Sequence, residues 1–109
     1  MSADDDLNGL FMHTVKVETY QGTGAYGDTW GPMSGDMPAL VDHGRRLVRD
    51  ERGSEVVSEA TVRLPLSYAD AVPPGSRVYL RARTATVISR KEWDGTALDL
   101  PSHVEVTLT

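Results

Sequence analysis

From His13 to Leu108 the apolar residues recur with a period of two, and no segment of ten or more residues carries a clean helical period. Side chains on a strand point to alternate faces, so this period predicts half-buried strands and little helix. In the stretch 14–20, Val15, Val17 and Thr19 share one face, and Thr14, Lys16 and Glu18 share the other. Residues 38–43 read as a short extended segment that continues through a bend at Gly44 into 45–49. Asp50-Glu51-Arg52-Gly53 has turn chemistry, with a glycine available for a positive φ. Residues 55–64 are the longest strand candidate: Val56, Ala60, Val62 and Leu64 face one way, and Glu59, Thr61 and Arg63 the other. The stretches on either side of that turn are therefore expected to form a hairpin. Pro65 ends the strand because it cannot donate to a ladder.

Residues 66–76 read as a loop closing on Pro73-Pro74-Gly75. In 77–81, Val78 and Leu80 are expected inside, with Arg77, Tyr79 and Arg81 outside. Residues 84–90 are rich in β-branched side chains and carry Val87 and Ile88. Asp94-Gly95 marks a further turn, after which Val104, Val106 and Leu108 return to the core. The expectation is an all-β, single-domain barrel of about six or seven strands with long projecting loops, spanning residues 13–109. Closure is preferred to an open sheet because it removes exposed edges. Residues 1–12 stand apart as a polar tail headed by Asp4, Asp5 and Asp6, followed by an apolar knot of Leu7, Leu10 and Phe11 in about one helical turn.

The chain has 109 residues, enough for one domain with a core of its own. It has no cysteine, which leaves out disulfides, thiolate metal sites and a cysteine nucleophile. Met-Ser-Ala-Asp-Asp-Asp has neither a basic n-region nor an apolar h-region, and no apolar run reaches spanning length, so neither a signal peptide nor a membrane partner is expected. The net charge is −5, with seven acids and one base in residues 1–44 against nine acids and ten bases in 45–109. The bases gather at Arg45, Arg46, Arg49 and Arg52, and again at Arg77, Arg81, Arg83, Arg90 and Lys91. Solvated strand faces explain them better than a contact patch does. An acidic chain is also poorly suited to dedicated nucleic-acid binding, which draws its affinity from neutralised phosphates.

Gly22, Gly24 and Gly27 spell G-x-G-x-x-G directly after the first strand-like stretch. A dinucleotide site needs the last glycine to open a helix whose amides hold the pyrophosphate. Here Asp28-Thr29-Trp30-Gly31-Pro32-Met33-Ser34-Gly35 follows, and that density of proline and glycine sustains no helix. The expectation is instead a long mobile loop over 21–37, holding half of the chain's ten glycines together with Tyr26 and Trp30. Trp30 in such a loop reads as an interface anchor. His13, His43 and His103 lie far apart in sequence and form no metal motif, no G-x-S-x-G elbow exists, and no pair of carboxylates can be placed across a cleft. No catalytic set, metal or cofactor is expected. Tyr79 between arginines offers thin support for a base-stacking face, the alternative of an oligonucleotide-binding barrel.

Several runs resemble small head-to-tail connector proteins of long-tailed phages of actinobacteria. They are Tyr20-Gln21-Gly22-Thr23-Gly24-Ala25-Tyr26-Gly27-Asp28-Thr29, Gly44-Arg45-Arg46-Leu47-Val48-Arg49-Asp50, Glu55-Val56-Val57-Ser58, Pro73-Pro74-Gly75-Ser76-Arg77-Val78 and Leu100-Pro101-Ser102-His103-Val104-Glu105-Val106. The family is that of head-to-tail stopper, or head-closure, proteins. The resemblance implies a β-barrel that forms a ring of six or twelve copies, six favoured, below the portal and adaptor ring and above a tail terminator or tail tube. Such a ring seals packaged DNA in the capsid of the virion without sequence-specific binding, after assembly in the bacterial cytoplasm. A neighbouring ring protein, a tail terminator or tail-completion component, is the alternative within this class, and a helix of three turns or more would favour it. The candidate contact residues are Gly22, Gly24, Tyr26, Gly27, Asp28 and Trp30 in the glycine run, Arg52 at the 50–53 tip, and Tyr68 and Pro74 in the 66–76 loop.

Overall fold

The computed structural model describes residues 13–81, 83–93 and 102–109. The expected tail over 1–12 and the Asp94-Gly95 turn lie outside these residues. Ten strands follow in chain order: β1 His13–Glu18, β2 Tyr20–Gly24, β3 Gly27–Trp30, β4 Met37–Asp42, β5 Arg46–Arg49, β6 Glu55–Ser58, β7 Ala60–Pro65, β8 Arg77–Tyr79, β9 Thr84–Trp93 and β10 His103–Leu108. Six of them close a barrel in the order β1-β4-β7-β10-β9-β8, and every neighbouring pair is antiparallel. The all-β barrel read from the period of two is the fold. The remaining four strands form two separate two-stranded hairpins, β2–β3 and β5–β6.

Closure falls on β1, which divides its pairing. His13, Thr14 and Val15 pair with Ala39, Pro38 and Met37 of β4, whereas Lys16, Val17 and Glu18 pair with Tyr79, Val78 and Arg77 of β8. A six-stranded barrel is narrower than the eight-stranded one that side chains just fill, so its interior must be built from small residues. The core obeys this limit: Val15, Val17, Val62, Val78, Val104 and Val106 with Ala39, Ala60 and Ala85 surround Leu64 and Leu108. Among the described residues no buried core residue is aromatic.

Four expectations need correction. The stretch 55–64 is not one strand: it breaks at Glu59, whose N–H donates to the Leu108 carbonyl at 3.0 Å. The break lets β6 leave the barrel with β5 while β7 stays in it, and the buried Ser58 hydroxyl, 2.9 Å from the Ala60 carbonyl and 3.0 Å from that of Leu108, holds the fork. Thr61, expected outside, is buried opposite Thr107. The 66–76 loop begins with a 3-10 helix over Leu66–Ala71, which packs on the core through Ala69 with Leu66, Tyr68 and Ala71 beside it. Strand β9 also runs three residues beyond the expected Arg90.

Leu64 is fully buried, and neighbours fixed by ladders on both sides of β7 leave it little room for collapse. Leu64→Ala should therefore lower unfolding free energy by about 2–5 kcal/mol in urea titrations, with secondary structure by circular dichroism retained.

Candidate functional site between two braced hairpins

The glycine run is a hairpin, and this overturns the mobile loop expected over 21–37. Tyr20 pairs with Trp30, Gly22 with Thr29, Thr23 with Asp28 and Gly24 with Gly27, which leaves Ala25-Tyr26 as a two-residue turn. Gly22 sits at a register shift with φ +102°, and Gly27 closes the turn with φ +100°, conformations that side-chain-bearing residues rarely adopt. The motif's glycines thus serve a bulge and a turn. The Tyr20 and Thr23 hydroxyls both donate to Asp28 Oδ1, at 2.9 and 2.5 Å. These two bonds, that of Thr23 foremost, hold the exposed Asp28 carboxyl below the usual aspartate range.

Trp30 is no free anchor. Its indole N–H donates to the Gly75 carbonyl at 2.8 Å, and its ring meets Tyr20 edge-on with centroids 5.8 Å apart. The Arg77 guanidinium lies 3.5 Å from the Trp30 ring centroid and 3.7 Å from Glu18 Oε1. Tyr20 in turn lies against Gly75, whose φ is +94° and where an added Cβ would come within 3.0 Å of the Tyr20 ring. Residues 31–36 have no strand of their own and are sewn to β1: Gly31 N–H donates to the Thr19 carbonyl at 2.8 Å, and Ser34 exchanges bonds with Val17 at 2.8 and 2.9 Å.

The second hairpin, β5–β6, is an arm with the expected turn at its tip. There Asp50 Oδ1 accepts from the N–H groups of Arg52 and Ser54, both at 2.9 Å. Its arginines are mostly paired, in line with solvated strand faces: Arg45 with Glu59 at 3.3 Å, Arg49 with Glu55 at 3.6 Å, and Arg46 with Glu105 on β10 at 2.7 Å. Arg63 joins Glu105 from the other side at 3.3 Å. Burial opposes the charge on Glu105 most strongly of any single influence, but the Arg46 hydrogen bond and the charges of Arg63, Arg46 and His103 together hold its carboxyl below its ordinary value.

Between the hairpins lies an open groove of about 620 Å³. It gathers four candidates from separate parts of the sequence: Asp28 and Trp30 from β3, Arg52 from the arm tip, and Pro74 from the turn before β8. Tyr26 stands fully exposed at the β2–β3 tip, outside the groove. Tyr68, expected in a contact loop, instead packs against the core on the 3-10 helix. Tyr79 does not present a free stacking face: its hydroxyl donates to Glu18, which raises its pKa because loss of the proton would set phenolate against carboxylate. Sequence reasoning missed Tyr20, Gly75 and Arg77 as the residues that hold Trp30, since nothing in their spacing ties them together.

Among the described residues no cluster of three or more histidines and carboxylates is arranged to hold a metal ion, and no helix is long and apolar enough to cross a membrane. No protein-family model matches the chain, and no curated protein matches it.

Two outcomes follow from these contacts. Trp30→Ala removes the N–H donor, the ring pair and the seat of Arg77 together, so it should destabilise the isolated protein by about 1–3 kcal/mol. Thermal unfolding followed by circular dichroism checks this, and an unchanged midpoint would place Trp30 outside the scaffold. Because the Glu105 carboxyl is depressed in the folded state, its stabilising effect is present above its ordinary value of 4.5 and is lost as pH falls through the lower folded value. Glu105→Gln should accordingly be less stable than wild type at neutral pH and lose less stability between pH 5 and pH 2 in denaturant titrations.

Proposed function

We propose that this chain is a virion structural protein, a ring-forming head-closure or stopper component at the head–tail junction of a long-tailed phage. The observation that carries the reading is a closed barrel whose only two-stranded projections, among the described residues, are hairpins fastened to the body by aromatic, cation–π and ionic contacts. A closed barrel offers no sheet edge for partners, so contacts with neighbours fall to the projections and to hollows on its surface. Asp28, Trp30, Arg52 and Pro74 meet in the groove between the hairpins, and Tyr26 extends beyond it as a fully exposed aromatic tip. Tyr26, Asp28 and Pro74 lie in the runs on which the resemblance to connector proteins rests.

On this reading the copies form a ring below the portal and adaptor, close the exit for packaged DNA and offer the tail its docking face. Among the described residues the only helix is the six-residue 3-10 turn, which favours a stopper over a neighbouring ring protein built on longer helices. Cryo-electron microscopy of virions should find this chain as a ring at the head–tail junction. Particles with a complete neck that lacks it would overturn the reading.

A further inference from the structure

We propose that the β5–β6 arm of one molecule docks in a cationic concavity of a second copy. This deepens the ring-forming reading above and rests on it. The concavity, of about 930 Å³, lies beside the start of β1 and shares no lining residue with the inter-hairpin groove. Lys16, Arg81 and Arg83 bring three permanent cations to it, His13 and His43 border it, and Asp36 is the one carboxylate among its lining residues. Val15, Val41 and Leu80 supply apolar wall. Arg83 is engaged, donating to the Thr109 carbonyl at 2.7 Å, whereas Lys16 and Arg81 make no ion pair among the described residues.

The arm has the complementary chemistry. Its tip carries Asp50 and Glu51 against a single Arg52, so that both the majority and the minority charges are opposite to those of the concavity. Below the tip, Leu47 and Val57 face each other across the two strands and are 67% and 41% exposed, an apolar pair open to solvent among the described residues, Val57 on the rim of the inter-hairpin groove. No arm residue lines its own molecule's concavity, and Arg46 fastens the arm to Glu105, so the contact must be made between copies. Two different surfaces meet in it, which makes it heterologous, the class of contact that forms a ring where its rotation closes.

The contact is largely electrostatic, so it should be strongest at low ionic strength. Sedimentation velocity on the full chain in low-salt buffer should give concentration-dependent oligomers that salt dissociates. Glu51→Lys on the arm, or Lys16→Glu with Arg81→Glu in the concavity, should each weaken association roughly tenfold or more. Combining both reversals in one chain should restore it, which a folding defect could not do. Asp50 is left intact because it holds the tip. A wild-type chain that stays monomeric at low salt overturns the proposal, as does association indifferent to Glu51→Lys. Loss of association on neutralising Asp4, Asp5 and Asp6, with Glu51→Lys silent, would give the concavity to the chain's own first residues and also overturn it. The stopper reading fails separately, by the chain's absence from the junction.

Discussion

The divided pairing of β1 is the constraint on which the rest of the molecule depends. By giving its first half to β4 and its second half to β8, one six-residue strand closes the sheet on itself. Closure at six strands sets a narrow interior, and among the described residues its buried core holds valine, alanine, three leucines and Met37 but no aromatic ring. Large side chains are thereby displaced to the outside. Tyr20, Trp30 and Tyr79 become fasteners for elements on the barrel surface rather than core.

Two-stranded hairpins are marginal in water on their own, so each projection needs an external hold. The β2–β3 hairpin is held through a relay: Glu18 pairs with Arg77, Arg77 covers Trp30, and Trp30 meets Tyr20 and the Gly75 carbonyl. Glu18 belongs to β1, so the strand that closes the barrel also carries the first link of that relay. The arm is held by a different chemistry, Glu105 on β10 between Arg46 and Arg63. One projection is braced mainly by ring contacts that end in one ion pair, and the other by an ion network that acid weakens.

What was legible in the sequence is what depends on neighbours along the chain. The period of two gave the inward sets of β1, β8 and β10 correctly, and the turn chemistry of 50–53 placed the arm tip, because both are local signals. What was not legible depends on contacts between distant segments. The density of glycine in 21–37 resembles a mobile loop, yet two of those glycines supply positive φ for a bulge and a turn, and the hairpin is held by Gly75 and Arg77, some fifty residues on. The continuous alternation of 55–64 gave no sign of the fork at Glu59, since the partner that draws β7 into the barrel is the last strand of the chain. Candidate contact residues were found by type, but that Asp28, Trp30, Arg52 and Pro74 share one groove whereas Tyr68 lies on the core is a property of the topology alone.

The uneven charge along the chain acquires a spatial meaning from the same topology. Read linearly, acids dominate the first part and bases the rest, which points to no single surface. Folding then pairs Arg45, Arg46, Arg49 and Arg63 with acids on the arm and across β7 and β10. Among the charges outside those pairs, cations gather around the β8–β9 turn with Lys16 beside them, and Asp50 and Glu51 stand at the arm tip. A protein with a net charge of −5 can therefore still offer a cationic hollow to an acidic projection of its own kind.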